Sequence, residues 1–501
     1  MSVIRKLAGA TAIYGISSVL GRFISILLTP IHTGFFTKGL EGQYGILSFF
    51  FSYIAFFNVF LIFGMETTLF RLSEDEKEKG SVYNQAFLFV SGLAVLFLLI
   101  GMSFHDVIAG WIGYPDDGHI VMLVVGILTM DTLAALPMAR LRQQNRAKRF
   151  ATINIINIVL TVSLNFILLK FVEVDIVWVF VANVIASAFR MGMAFTTGMP
   201  SSWKPKLDII KPMTHYGFFI MIAGLAGMMN ETLDRILIPN LWESGNVFLG
   251  VARTGEEMNG IYAACYKLGM FIPLFTQAFR YAAEPFFFKN AVQKDSPETL
   301  AKVFHYFFFA VLAGFLIISA FKDEIAAFNF FGLFDTDKRS VTFIDKAYWD
   351  GLSVVPILLM AYVCSAIYVN LSIWFKITKQ TRFALLFTGV GALITILINV
   401  FTIPTYGFVG SAWATLICYA VMVILVYFIG QHYYPVPYRV TRLGQYLLLV
   451  IVGFGINRTI GATDGFLLAF VAKMAVCAGI LGLILVWEKW YPSFKSSAPE
   501  V

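Results

Sequence analysis

Residues 42–71 read GQYGILSFFFSYIAFFNVFLIFGMETTLFR, and residues 260–289 read GIYAACYKLGMFIPLFTQAFRYAAEPFFFK. Laid over one another without a gap, Gly42 meets Gly260, Tyr44 meets Tyr262, Ile54 meets Ile272 and Phe57 meets Phe275. Glu66 then meets Glu284, and Arg71 meets Lys289. Each stretch is apolar over the roughly 20 residues that a helix needs to cross hydrocarbon. Shared phenylalanines arise easily in a chain this rich in them. A matched glutamate followed by a matched base is more specific. A second pair supports the first: RFATINIINIVLTVSLN (149–165) resembles RFALLFTGVGALITILIN (382–399) with one gap.

The rest of the chain fits a membrane frame. Of 501 residues, 58% are hydrophobic and only 13% charged, too little charge for the surface of a soluble chain this long. About 14 apolar stretches of spanning length follow one another, and barrel-type alternation is absent. Residues 42–71 hold the second span and 260–289 the eighth; the second pair holds spans five and eleven. Six spans between copies is an even number, which returns the chain to the same side, so the repeats are parallel. The expected fold is all-α and polytopic: two pseudo-symmetric six-helix lobes, residues 1–200 (spans 1–6) and 201–430 (spans 7–12). Residues 431–501 add spans 13 and 14 and a tail. The polar, proline-bearing GMPSSWKPKLD (198–208) joins the lobes.

With the N-terminus inside, basic residues favour the inner loops about threefold, which sets both termini in the cytoplasm. The net charge of +7 is therefore a topological signal, and nucleic acid is not expected as a partner. The basic start runs into an apolar stretch too long for a signal-peptide core, so it reads as a retained first span. Cys265, Cys364, Cys418 and Cys477 all fall in spans and read as small core residues. Neither a P-loop nor a catalytic triad nor metal-ligand histidine spacing is present, so no ATP hydrolysis, enzyme chemistry or cofactor is expected.

Charges inside spans are the candidates for function, because they are costly there. Arg22 lies about 15 residues into the first span, roughly 22 Å deep, and Lys267 about 9 residues below the outer end of the eighth, roughly 13 Å. Both are expected to face a polar cavity between the lobes and to meet an anionic cargo, Arg22 through its planar fork and Lys267 as a point charge. Alternatively, Arg22 pairs with Asp131, midway along the fourth span. Arg235 is expected near the outer interface, with Glu231 at i−4 as its local partner and Asp234 beside it. Lys473 reads as a contact for a lipid headgroup or a neighbouring carbonyl. Glu66 and Glu284 are candidates for an inner gate between lobes; the plainer alternative is local pairing with Arg71 and Lys289. Asp131, Glu66, Glu284 and Glu231 are also candidates for ion coupling.

YGISSVLGRFISILLTPIHTGFF (14–36) followed by EGQYGILSFF (41–50), MNETLDRILI (229–238) and the 260–289 stretch resemble bacterial polysaccharide and O-antigen flippases. These belong to the multidrug/oligosaccharidyl-lipid/polysaccharide (MOP) exporter superfamily, with the lipid II flippases and the MATE antiporters. The resemblance implies a MATE-like bilobed fold in the bacterial inner membrane. It implies alternating-access export of undecaprenyl-pyrophosphate-linked oligosaccharide, with membrane lipids and other polysaccharide-assembly proteins as partners. It keeps Arg235, in an Asp-Arg pair, as a substrate residue, and gives spans 13 and 14 a share in a lipid groove. A cation-coupled multidrug exporter is the alternative within the superfamily; a membrane glycosyl polymerase or ligase is the alternative outside it.

Overall fold

The computed structural model describes residues 24, 26–73, 79–290, 296–329, 342–378, 380, 382–460 and 466–490. The helices in chain order are α1 (Ile26–Phe35), α2 (Glu41–Ile62), α3 (Met65–Leu72), α4 (Lys79–Ser103), α5 (His105–Trp111), α6 (Gly118–Gln143), α7 (Ala147–Phe171) and α8 (Ile176–Phe195). They continue as α9 (Leu207–Leu241), α10 (Gly255–Gly269), α11 (Phe271–Asn290), α12 (Ser296–Ala320), α13 (Lys322–Ala327), α14 (Val355–Leu371), α15 (Ile373–Ile377), α16 (Arg382–Tyr406), α17 (Phe408–Tyr433), α18 (Val440–Ile460) and α19 (Phe466–Trp490). Among the described residues, 12 helical stretches are long and apolar enough to span a membrane. This confirms an all-α polytopic protein.

Two expected spans are not among the 12. The first lies largely outside the described residues. The eighth is broken: α10 stops at Gly269 and α11 starts at Phe271. The sequence explains the break. Gly269 is a weak helix former, and Pro273 lacks the N–H that would bond back to it and crowds its carbonyl. The start of α10 is well made, with Thr254 and Glu257 forming a reciprocal capping box.

The helices sort into two groups. α4, α6 and α8 pack against α2, with α7 on α6 and α8; α9, α14 and α17 pack against α10, with α16 on α9 and α17. The added pair α18 and α19 rests on α12. Across the groups, α2 packs against both α9 and α10. One face of the molecule carries the basic loops near residues 140–149 and 204–211; the groups meet differently there and on the opposite face.

On the opposite face, α2 crosses α10 at backbone contact. A Cβ added at Gly45 would lie 1.8 Å from the Glu256 carbonyl oxygen, and one at Gly260 would lie 2.2 Å from that of Glu41. Only glycine admits this approach. Asn259 Nδ2 donates to the Gly45 carbonyl at 2.8 Å. Around the crossing, Thr37 Oγ1 donates to Asp345 Oδ1 at 3.2 Å, the Asp345 amide to Thr33 Oγ1 at 3.3 Å, and the Tyr348 hydroxyl to the Phe36 carbonyl. This face is closed. On the basic face, α2 bends into α3 at Phe63 and Gly64, both left-handed (φ 53° and 67°). There α9 lies close: a Cβ on Gly64 would sit 2.8 Å from the Gly217 carbonyl oxygen.

The 198–208 connection is laid along α4 rather than free. Asn84 Nδ2 donates to Ser201 Oγ and Asn84 Oδ1 accepts from the Ser201 amide, both at 3.1 Å. Gln85 does the same for the next stretch, donating to the Lys204 carbonyl at 3.0 Å and accepting from the Lys206 amide at 2.8 Å. Tyr83 donates to the Gly198 carbonyl, and Trp203 stands edge-on to Phe87. Consecutive amide side chains thus do what a neighbouring strand would do, and satisfy backbone groups at a helix-to-helix connection.

Candidate functional site: a cavity between the helix groups

A cavity of about 370 Å³ lies under the closed face. Most of its wall comes from the first group. α1 supplies Leu28 and His32; α2 supplies Tyr44, Ser48 and Ser52; α6 supplies Asp131; α7 supplies Asn157 and Thr161; and α8 supplies Asn183, Ser187 and Arg190. The second group adds Thr232 and Arg235 from α9 and Lys267 from α10. The polar residues recur at helical intervals: Ser48/Ser52, Asn157/Thr161, and Asn183/Ser187/Arg190 each share one face. Each helix therefore turns a polar stripe inward and keeps its apolar surface for packing and for lipid.

The structure brings Lys267 and Asp131 into one cavity, as their depth in the sequence suggested, and adds Arg235, which was expected near the outer interface. The partners differ from those expected. Asp131 Oδ1 is 3.5 Å from Arg190 Nη1, so its carboxylate already has a cation. Arg22, the alternative partner for Asp131, lies outside the described residues. Arg235 stays at the cavity and does not reach an interface, and no ion pair forms with Glu231. Instead its guanidinium carbon stands 3.8 Å over the ring centroid of Tyr266. A ring brought from α10 outcompetes a solvated i−4 carboxylate, because a desolvated cation–π contact is worth more than an exposed helical ion pair. Asp234 is occupied too: it accepts from the Tyr262 hydroxyl at 2.6 Å and from the Arg235 amide at 2.9 Å.

The electrostatic outcome is one-sided. The lining holds three basic side chains, Arg190, Arg235 and Lys267, against the single carboxylate of Asp131. Among the described residues, Arg235 and Lys267 form no ion pair, and Arg235 Nη2 is buried with no hydrogen-bond partner. His32 adds a ring whose Nε2 lies 3.0 Å from Asn165 Oδ1. Neutral groups complete the wall, and Asn157 Oδ1 is also buried and unpartnered. Such a surface is complementary to an anion that carries hydroxyl or amide groups.

The other expected site residues lie elsewhere. Glu66, on α3, accepts from Arg142 Nη2 at 2.5 Å, so the expected partner Arg71 is replaced by a residue of α6. Arg71 is over the Tyr216 ring of α9, 4.2 Å from its centroid. The five-residue spacing explains this, because it places Arg71 off the face that Glu66 presents. The Glu284 backbone is in α11, and its side chain lies outside the described residues. Glu231 is exposed and takes part through its backbone carbonyl, which accepts from Tyr266. Lys473 is not a headgroup contact: it is 4% exposed and donates to Glu324 Oε1 at 2.7 Å. That pair borders an apolar groove of about 520 Å³ between Phe271, Phe321, Phe328 and Phe470.

Sequence reasoning overlooked Arg190, His32, Asn157, Asn183 and Ser187. The signal was available in the one-face spacing of Asn183, Ser187 and Arg190 within an otherwise apolar helix.

Comparison with known proteins places this geometry. Residues 41–267 match the family described as polysaccharide biosynthesis protein. No curated protein sequence matches the chain. Among solved structures, the lipid II flippase MurJ in an inward-closed conformation superposes with a TM-score of 0.71 at 13% identity, over 95% of this chain and 99% of that one. A multidrug resistance MATE family transporter of the MOP superfamily, inward-facing, gives 0.62 at 15% identity, over 87% and 99%. A MOP superfamily transporter from Pyrococcus furiosus gives 0.56 at 14% identity, over 84% and 95%. The fold shared with these structures extends over nearly the whole chain, and the polysaccharide-biosynthesis sequence over residues 41–267, so the expected resemblance holds at the level of fold: this is a multi-pass membrane protein with a MurJ- and MATE-like fold.

Proposed function

We propose that this protein is a flippase that moves undecaprenyl-pyrophosphate-linked oligosaccharide, a polysaccharide or O-antigen repeat unit, across the bacterial cytoplasmic membrane by alternating access. The observation that carries the reading is the pair of cations, Arg235 and Lys267, that line one cavity without an ion-pair partner. A pyrophosphate needs charge of this sign, and the hydroxyl and amide wall opposite suits sugar. The lobes, residues 1–200 and 201–430, rock about the cavity, and residues 431–501 offer the lipid chain a path beside α19. Both termini face the cytoplasm. Membrane lipids and other polysaccharide-assembly proteins are its partners, and no chemical step is catalysed. The closed face is the outer one, so the described state is closed to the outside. The multidrug reading is weaker, because a cationic drug needs a free carboxylate and Asp131 is paired with Arg190.

The test is reconstitution in proteoliposomes with a fluorescent undecaprenyl-pyrophosphate trisaccharide. Wild type should expose the label to an external quencher, and Arg235→Ala or Lys267→Ala should slow this at least about tenfold, the loss of one charge-assisted contact. Vesicles that expel a cationic dye and leave the glycan in place would reverse the assignment.

A further inference from the structure

The charge of Arg235 is available to the cavity because something holds it there. Two acids flank it in sequence, and neither forms a side-chain ion pair with it among the described residues. Asp234 is engaged by Tyr262 and by backbone. Glu231, one turn earlier on α9, is exposed and makes no ion pair among the described residues. What Arg235 does touch is Tyr266, whose ring centroid is 3.8 Å from the guanidinium carbon. Tyr266 is itself fixed. It is 5% exposed, its hydroxyl donates to the Glu231 carbonyl at 3.3 Å, and the Tyr362 hydroxyl donates to it.

We infer that Tyr266 is the positioning residue for Arg235: a braced aromatic shelf that keeps the guanidinium off Glu231 and at the cavity wall. This rests on the flippase reading of the cavity and adds what makes that cavity cationic. The ring takes one planar face of the guanidinium, so the N–H edge remains for an anion. α10 supplies the parts in one stretch: Tyr262 engages Asp234, Tyr266 carries Arg235, and Lys267 adds the second cation. In the repeat alignment the position of Tyr266 falls on Ser48, so the first lobe has no ring at the matching place.

The experiment uses the full-length protein in nanodiscs, with inorganic pyrophosphate titrated calorimetrically. Without the shelf, Arg235 falls to Glu231, the favoured i−4 partner on a helix. Tyr266→Leu should therefore bind pyrophosphate about tenfold more weakly, within the range of a desolvated cation–π contact. Tyr266→Phe keeps the ring and should stay within about twofold. Adding Glu231→Gln to Tyr266→Leu should recover most of the loss, which a purely structural role of the tyrosine would not allow. Unchanged binding by Tyr266→Leu, or no recovery with Glu231→Gln, overturns the inference. If the leucine variant does not fold, the phenylalanine variant decides: a loss as large as that of Arg235→Ala overturns it. If wild type binds no pyrophosphate, the cargo reading fails on its own, and a structure of Tyr266→Leu decides the positioning role. Arg235 within 4 Å of Glu231 upholds it, since that distance defines an ion pair; Arg235 unmoved overturns it.

Discussion

Alanine in place of Gly45 tests whether the α2–α10 crossing is a state or a permanent joint. The new Cβ would stand 1.8 Å from the Glu256 carbonyl oxygen and 3.0 Å from the Gly260 amide nitrogen. A carbon and a carbonyl oxygen need about 3.3 Å, so the helices must part by about 1.5 Å. Overpacking of this kind costs about 1–3 kcal/mol. Parting also breaks the 2.8 Å bond from Asn259 to Gly45, worth about 1 kcal/mol more. The closed form should thus lose about 2–4 kcal/mol relative to any form in which these helix ends are apart. At about 1.4 kcal/mol per factor of ten, that is a shift of roughly 30- to 1,000-fold. Cysteines at Thr37 and Asp345, which touch across the same closure, report it through their crosslinking rate. Gly45→Ala should slow crosslinking at least about tenfold. Gly42→Ala should not, because its Cβ would meet nothing nearer than 3.6 Å. Wild-type crosslinking in Gly45→Ala together with a lower melting temperature would refute the reasoning, since the strain would then be borne by a joint that never opens.

Three further outcomes follow from the ion pairs and loops. Lys473→Met leaves Glu324 largely buried without its cation and should lower thermal stability by about 3–5 kcal/mol, whereas Lys473→Met with Glu324→Leu should return close to wild type in a thermal-shift assay. Glu66→Gln should cost under about 1 kcal/mol, because both members of the Glu66–Arg142 pair are 32% exposed, and a larger loss in thermal unfolding would show that Glu66 is more than a surface partner. A cysteine at Ala147 should react with an impermeant maleimide only after the cells are opened, and labelling of intact cells would reverse the orientation.

What could be read from the sequence was what repeats or is deep. Of the Gly42/Gly260 match, only Gly260 sits at the crossing where α2 and α10 touch; its counterpart across the contact is Gly45, which meets Ala263 in the repeat alignment, so the match did not mark it. Lys267 reached the cavity because its charge could not be left in lipid, whereas Arg235, expected near the outer interface, was found there too. Partners were hidden for the opposite reason. Lys473 and Glu324 are 149 positions apart, and Arg142 and Glu66 are 76 apart. Local spacing offered nearer candidates in Arg71 and Glu231, and packing between helices overruled them. The break before Phe271 had a visible cause in Gly269 and Pro273, but an apolar run hides a break inside it.

The pairing of Asn84 and Gln85 with residues 201–206 has a consequence for how the chain can be divided. The connection behaves as a noncovalent attachment of one half of the molecule to the other, independent of the peptide bonds within it. A gene split after Met199 would leave residues 200–206 on the second polypeptide, where Ser201, Lys204 and Lys206 would be held along α4 of the first by Asn84 and Gln85. The two polypeptides would keep the long seam of α2 against α9 to find each other by. The protein should accept separate synthesis of its halves with the severed ends in place, and lose that tolerance when Asn84 and Gln85 are both changed to leucine.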